Sequence, residues 1–227
     1  MTEVFTNIPF RLTPEQVIKR AHLRSQNTQI EEMTKTLVDT VLQIARPRAV
    51  YRVAYIENNN GDSVEIDGVK FTSHVLRLNL GNLGRVFPYI ATCGRELEEF
   101  TLADADILES FFLDMIKGMA TTFVVDFLAD HLKEKYALGQ VSHMNPGSLT
   151  DWPITQQKQL FSLFDDVEGL IGVRLSENCT MYPLKSVSGI CFPTEVRFES
   201  CQLCPRERCI GRRAPYSPEM ARKLATR

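Results

Sequence analysis

The sequence lacks any long apolar run. No stretch approaches the roughly 20 residues needed to span a bilayer, and the first ten residues lack the apolar centre of a signal peptide. These absences predict a cytoplasmic protein without a membrane partner. Disulfides are unusual in that compartment, and six cysteines in 227 residues are too few for a disulfide scaffold.

An excess of charge of one sign is missing as well. The formal net charge is −2, so the chain as a whole has no signature of nucleic-acid binding. The exception is the C-terminal stretch, because residues 205–227 contain seven Lys/Arg and only two Glu. This local excess indicates either a solvated tail or a docking surface for an anionic group.

Familiar catalytic patterns are absent too. The sequence contains no Ser-His-Asp order and no phosphate loop, and its four histidines have no metal-ligand spacing. No internal repeat or low-complexity segment interrupts an ordinary globular composition, with 44% hydrophobic and 24% charged residues. We therefore predict no catalytic residue within the chain.

Three of the six cysteines are concentrated near the C-terminus. Cys201, Cys204 and Cys209 have the spacing C-x2-C-x4-C, which in a cytoplasmic protein predicts a metal or cluster site. Free thiols in a solvated tail are the alternative. Three thiolates leave a tetrahedral metal one ligand short, and the spacing fits an iron-sulfur cluster and zinc equally well.

The missing fourth ligand has three candidates, each of which would otherwise be a small buried hydrophobe. Cys93 opens a predicted helix, where the helix dipole would lower the pKa of its thiol. Cys191 is nearest to the tail in sequence, and Cys179 lies in a loop. We favour Cys93 or Cys191.

The order of predicted elements indicates an α+β fold with a largely antiparallel sheet, because helices and strands mix without βαβ alternation. Thr13-Pro14-Glu15-Gln16 is typical of a helix start. Apolar periodicity predicts a helix of about 45 Å over residues 106–136. The other predicted helices cover residues 30–46 and 155–164 and begin near 95, and the strands cover 49–56, 63–66, 86–91, 140–144, 173–175 and 186–192.

The long helix carries an apolar stripe that we assign to the core rather than to a cofactor pocket. The stripe follows its largest side chains, which are Leu108, Phe111, Phe112, Met115, Met119, Phe123, Phe127 and Leu132. We expect one domain over residues 1–200, followed by a cysteine-rich basic tail over 201–227.

Several fixed spacings lie between residues 142 and 192. Pro146-Gly147 precedes the helix at 155–164, and Ile171–Glu177, Met181-Tyr182-Pro183 and Ser186-Val187-Ser188-Gly189 follow it. This pattern resembles the reactivation domain of cobalamin-dependent methionine synthase, which binds S-adenosylmethionine. Over residues 1–137 the resemblance is limited to the order of elements.

The resemblance implies a C-shaped α+β domain with a twisted antiparallel sheet, a long crossing helix and flanking helices. It also implies a repair function, in which the domain caps cobalamin that has fallen into the inert cob(II)alamin state. A reductase then supplies an electron and S-adenosylmethionine a methyl group. The expected partner is a corrinoid-dependent methyltransferase such as methionine synthase, activated in trans.

Two other functions stay open at this point. One is a corrinoid- or metal-binding accessory protein without redox turnover, and the other is an S-adenosylmethionine-dependent methyl donor. Under the resemblance, the ligand site draws on two short segments and one loop acid. Its residues are His143, Pro146, Gly147, Ser148, Glu177, Ser186, Ser188 and Gly189.

Three positions depart from the family pattern. The family has an Arg where His143 stands and a Tyr where Ser148 stands, and both serve S-adenosylmethionine; its aromatic residue at position 191 is Cys191 here. A histidine that is mostly neutral at pH 7 does not replace a guanidinium fork. The departures predict weak or absent binding of S-adenosylmethionine.

Overall fold

The computed structural model describes residues 2–23, 27–103, 106–209 and 211–225. Its strands are β1 (Thr2–Phe5), β2 (Arg48–Arg52), β3 (Ala54–Asn60), β4 (Ser63–Ile66), β5 (Val69–Thr72), β6 (Arg85–Thr92), β7 (Gln140–Met144), β8 (Arg174–Leu175), β9 (Met181–Tyr182) and β10 (Ser186–Thr194). Its helices are α1 (Pro14–Arg20), α2 (Thr28–Ile44), α3 (His74–Leu80), α4 (Arg95–Glu99), α5 (Ile107–Tyr136), α6 (Gln157–Ser162), α7 (Val167–Ile171) and α8 (Pro218–Ala225). Within the described ranges, no helix is long and apolar enough to cross a membrane.

One antiparallel sheet of eight strands forms the centre of the molecule. Along one side of β6, β2 and β3 lie end to end, and β10 pairs with its other side. Beyond β10 lies β7, beyond β2 lies β1, and the hairpin of β4 and β5 continues from β3. The short strands β8 and β9 pair separately. This mixed arrangement of helices and antiparallel strands confirms the predicted α+β class.

The sheet is covered on both faces, and strand alternation decides which side chain meets which layer. On β6, Phe87 and Tyr89 belong to the cluster packed under α5, whereas Val86 and Ile90 belong to the opposite cluster. The opposite cluster also contains Trp152 and apolar residues of α3, α6 and α7. Each face of the sheet is therefore a separate apolar interface.

The predicted strand over residues 49–56 is in fact two strands, separated at Val53. The pairs Tyr51 with Tyr89 and Ala54 with Val86 belong to one continuous register. Arg52 therefore lies opposite Pro88, and proline has no N–H for the ladder. The interruption is caused by a residue of the neighbouring strand, so the sequence of residues 49–56 alone does not predict it.

The buried face of α5 differs from the predicted stripe. Phe112 and Leu132 are buried as expected, but Phe111 is 50% exposed and Leu108 lies at the surface. The side chains that fill the core are smaller ones, in steps of three and four residues: Phe112, Leu113, Ile116, Ala120, Thr121, Val124, Val125, Leu128 and Leu132. The prediction followed side-chain size, whereas close packing against the sheet selects Ala120 and Thr121.

The helix starts were predicted well. Thr13 caps α1 with the expected capping box to Gln16, and Asp106 caps α5 with a second box to Glu109. Helix α2 ends at Ile44, two residues before the predicted end at residue 46. The sequence analysis did not identify β1, β5, β9, α3, α7 or α8, all of which are at most eight residues long.

Strand β10 contains a close approach that requires a glycine. A Cβ on Gly189 would lie 2.5 Å from the Met144 carbonyl oxygen and 2.5 Å from Asn145 Nδ2. That amide nitrogen donates hydrogen bonds to Tyr89 Oη and to the Ser188 carbonyl, both at 2.8 Å. Any side chain at this position must therefore displace the Asn145 amide or the end of β7.

We predict that Gly189→Ala lowers the free energy of unfolding by about 1–3 kcal/mol, because the methyl group overpacks this contact. The matched control is Gly118→Ala in α5, where a Cβ would meet nothing within 4 Å. It should raise stability by about 0.5–1 kcal/mol through helix propensity. Urea unfolding of both variants measures the difference. Equal stability of the two variants would contradict the assignment.

Candidate functional site

A cleft of about 640 Å³ lies between α5 and the end of the sheet. Four parts of the chain line it: the segment around Phe10 to Arg20, the middle of α5, the strand ends at His143 and Ser186, and residues 211–213 of the tail. Met119, Phe10 and Phe123 give it apolar walls. The tail therefore forms part of this hollow rather than extending away from the domain.

The floor of the cleft is the Asn145 bridge described above. Tyr89 is fully buried under it, and burial raises the pKa of its phenol far above the usual range. The start of β10 is held on α5 because the Lys185 carbonyl accepts hydrogen bonds from Thr121 Oγ1 at 2.7 Å and from the Cys93 amide at 3.1 Å. Hydrogen bonds thus hold the floor of the cleft together.

The tail is organised by the guanidinium of Arg212. It donates to the carbonyl oxygens of Cys201 at 3.0 Å, Ala214 at 3.2 Å and Cys204 at 3.3 Å, and also to that of Arg206. Four carbonyl partners occupy most of its five donors. Arg212 therefore fixes the cysteine loop, which is the segment that carries Cys201, Cys204 and Cys209. Its guanidinium is already occupied by backbone carbonyl groups.

The next residue, Arg213, reaches into the cleft. Its Nη1 lies 3.4 Å from His143 Nε2, and its Nε lies 3.6 Å from Glu199 Oε2. Because a guanidinium can only donate, Nε2 of His143 is the acceptor. Glu199 is buried and also pairs with Arg197 at 2.8 Å. A positive charge thus lies beside the position where the sequence has His143 instead of arginine.

A carboxylate faces the same cleft from α5. Asp126 lines the hollow, and none of the described residues donates a hydrogen bond to it. Burial raises its pKa, while the nearby Arg197 and Arg213 oppose that rise. The cleft therefore carries an anionic group on one wall and a guanidinium on another.

The structure brings only part of the predicted ligand site into the cleft. His143 and Ser186 line it. Ser186 Oγ donates to the Pro183 carbonyl at 2.7 Å and lies 2.9 Å from Thr92 Oγ1. Ser188 lies on the face of β10 away from α5, where its hydroxyl accepts from Gln157 Nε2 at 3.0 Å.

The remaining predicted residues lie beside the cleft or away from it. Pro146, Gly147 and Ser148 form the expected turn after β7, and the Ser148 hydroxyl lies 3.3 Å from that of Ser200 at the base of the tail. Gly147 has a φ of +83°, which favours glycine. Glu177 is exposed in the connection between β8 and β9.

The cysteines do not form a preformed metal centre. Cys201 and Cys204 are partly buried, Cys209 is exposed, and all three are free thiols. No group of three or more His, Cys, Asp or Glu in the part of the chain that the structure describes is arranged to hold a metal ion.

The two favoured fourth ligands are core residues. Cys191 lies in the apolar cluster under α5, and Cys93 lies in a second cluster with α2. Burial raises the pKa of Cys191, and burial together with Glu98 raises that of Cys93 to about 12. The expected lowering by the helix dipole is wrong for Cys93, because desolvation in this site is larger. Cys179 is also buried, with Sγ 3.9 Å from the Thr155 carbonyl oxygen.

Two charged residues that line the cleft were missed by the sequence analysis. Asp126 had a usable signal, since it is an acid between Val125 and Phe127 in an otherwise apolar segment of the helix. Arg213 was noted only as one of several basic residues, because nothing in the sequence relates it to His143, 70 positions earlier.

We predict that the His143 imidazole stays neutral at pH values well below the usual pKa of histidine. Burial, with the nearby Arg213 guanidinium, lowers its pKa to about 4, against about 6.5 in an unfolded chain. The unfolded state therefore binds more protons between these values. The stability from this group is fully present above about pH 6.5 and is lost as the pH falls toward 4.

NMR of the imidazole resonances, assigned with His143→Asn, measures this pKa directly. The His143 signals should stay those of a neutral ring down to about pH 5, whereas the urea-unfolded protein titrates near 6.5. A midpoint above about 6 in the folded protein would contradict the described burial.

The comparisons with known proteins agree with this fold. No protein-family model matches the sequence, and no curated protein is similar to it in sequence. Among solved structures, the chain is similar to the MetH reactivation domain, in a crystal structure with bound AdoHcy. The match covers 88% of this chain and 81% of the other, with a TM-score of 0.60 and 15% identity. The fold is therefore that of the MetH reactivation domain, as the spacings within residues 142–192 indicated.

Proposed function

We propose that the protein reactivates a cobalamin- or corrinoid-dependent methyltransferase in trans. The observation that carries the proposal is the two-sided charged cleft, which lies where the 142–192 segment meets α5, in the fold of the MetH reactivation domain. The fold alone fixes no activity, so the cleft and its contacts supply the chemical argument.

The chemistry would couple two steps. One electron from a reductase reduces the cob(II)alamin of the partner protein, and methyl transfer from a sulfonium then consumes the reduced cobalt. In the second step a carbon–sulfur bond breaks and a cobalt–carbon bond forms, and sulfur leaves as a neutral thioether. The chain's own contribution is to bind the methyl donor, present it to the corrinoid and exclude water.

We further propose that the methyl donor occupying the cleft is S-adenosylmethionine, with S-adenosylhomocysteine as the product. The related domain was crystallised with AdoHcy. The apolar walls around Met119 and Phe123 suit the flat, weakly polar body of such a ligand. The departures at His143 and Ser148 argued against this ligand, but they count less once Arg213 stands beside His143.

The tail cysteines are proposed as a site for iron-sulfur or zinc that forms on loading. Arg212 already gathers the carbonyl groups of Cys201 and Cys204 around one guanidinium. This arrangement limits the conformations the loop must search before three thiolates can converge. The C-x2-C-x4-C spacing supports this proposal.

The reactivation proposal predicts a dependence on this protein. A corrinoid methyltransferase poised as cob(II)alamin is supplied with a low-potential electron donor and S-adenosylmethionine, with and without the protein. Methyl transfer should recover only when the protein is present, and return of the methylcobalamin spectrum measures it. Recovery should weaken with salt if the basic tail guides encounter, since screening acts over about 8 Å at physiological ionic strength.

Controls that omit the donor or S-adenosylmethionine separate the proposal from its alternatives. Spectral change on mixing, without recovery of methyl transfer, would favour a non-redox corrinoid-binding role. Equal recovery with and without the protein, across several corrinoid partners, would contradict the proposal.

The metal proposal predicts stoichiometric iron or zinc in protein purified without oxygen. Simultaneous Cys→Ser changes at Cys201, Cys204 and Cys209 should remove it. Absorbance near 400 nm would identify a cluster, and elemental analysis would identify zinc. Metal-free wild-type protein after anaerobic purification and reconstitution would rule the site out.

A further inference from the structure

The tail contributes more than a basic surface, because its two adjacent arginines have different surroundings. Arg212 makes four contacts to carbonyl oxygens and is saturated. Arg213 makes only two long contacts, at 3.4 Å to His143 and 3.6 Å to Glu199, and its side chain is 50% exposed. Arg213 therefore keeps donors that can turn toward a ligand in the cleft.

Two features hold Arg213 in position without using up its charge. Its backbone amide donates to Cys201 Sγ at 3.4 Å, and the preceding guanidinium fixes the loop. Glu199, the anion nearest to it, already has Arg197 at 2.8 Å. The Glu199 carboxylate therefore pairs more closely with Arg197 than with Arg213. The carboxylate of a ligand in the cleft could thus form short hydrogen bonds with the Arg213 guanidinium.

The neutral state of His143 adds to this arrangement. A charged imidazolium at 3.4 Å would repel the guanidinium, but the neutral ring accepts from it through Nε2. The uncharged His143 ring thus orients Arg213 toward the cleft without neutralising its positive charge, which can then interact with a ligand. Planar, bidentate pairing with a carboxylate is the geometry that arginine provides and lysine does not.

Asp126 of α5, which lines the same cleft, offers a carboxylate without a hydrogen-bond donor among the described residues. A guanidinium and a carboxylate that face one hollow are the complement of an amino-acid zwitterion. Apolar walls beside them accommodate a larger body attached to that zwitterion.

We infer that Arg213 of the tail is the carboxylate-binding residue of the cleft, and that Asp126 receives the ammonium group of the same amino-acid end. The ligand class is a small molecule with an amino-acid terminus and an apolar or aromatic body. The inference rests on the proposed function for its choice of an S-adenosyl ligand. The assignment of Arg213 rests on the contacts alone.

The test is calorimetry of the full chain with two probes. S-Adenosylhomocysteine carries the amino-acid end, and 5′-methylthioadenosine lacks it. Wild-type protein should bind S-adenosylhomocysteine more tightly than 5′-methylthioadenosine. Arg213→Ala should weaken that binding by roughly tenfold to a hundredfold, the size of a lost charge-assisted hydrogen bond, and should leave methylthioadenosine binding unchanged.

The matched control is Arg208→Ala, which removes the same charge from an exposed position of the same tail. It should leave the affinity for both probes unchanged. Arg213→Lys keeps the charge without the fork, so its affinity should lie between those of wild type and Arg213→Ala. Circular dichroism melting of each variant checks that the fold is retained, and Glu199 keeps Arg197 in all of them.

Three results would overturn the inference. The first is that Arg213→Ala and Arg208→Ala change the affinity for S-adenosylhomocysteine equally. The second is that Arg213→Ala lowers the affinity for both probes by the same factor. The third is a wild-type dissociation constant for S-adenosylhomocysteine above about 1 mM. The reactivation assay is independent of this measurement. Tight, Arg213-dependent binding without reactivation would sink the proposed function alone, and reactivation without Arg213-dependent binding would sink this inference alone.

Discussion

The Asn145 amide is the contact on which the geometry of the cleft depends. It joins β6 to β10 through Tyr89 and the Ser188 carbonyl, and it fits only because Gly189 has no side chain. Strand β7 ends at Met144, just before this amide, and the chain turns at Pro146 and Gly147. His143 is thereby held under α5, because the alternation along β7 is fixed by the same ladder.

The tail docks on this framework through apolar contacts as well as charge. Leu203 and Met220 pack against the cluster on the face of the sheet away from α5, and Ser217 donates its amide to the Gln202 carbonyl at 2.9 Å. The tail is therefore anchored at Gln202 and Leu203, within the cysteine loop, and at Ser217 and Met220 beyond it. A polar cluster at the cleft can then be built from side chains that are distant in sequence.

How much the sequence predicts depends on whether the signal is local. Capping boxes, strand alternation and the spacings at 142–192 are local, and they predicted the α+β class and its family likeness. The buried face of α5 was misassigned because Ala120 and Thr121 give a weak apolar signal beside Phe111. The pKa of Cys93 was misjudged because burial arises only from the packed fold. The convergence of Asp126, His143 and Arg213 is tertiary, and no spacing encodes it.

The adjacency of Arg212 and Arg213 couples ligand binding in the cleft to the conformation of the cysteine loop. One guanidinium is fastened to the cysteine loop and the next reaches His143, so a loop that refolds on oxidation or metal loading displaces the second whenever it displaces the first. Linkage makes such a coupling reciprocal. A ligand that holds Arg213 in the cleft would by the same amount favour the loop conformation seen here, so that the reactivity of three thiols would report whether the cleft is filled.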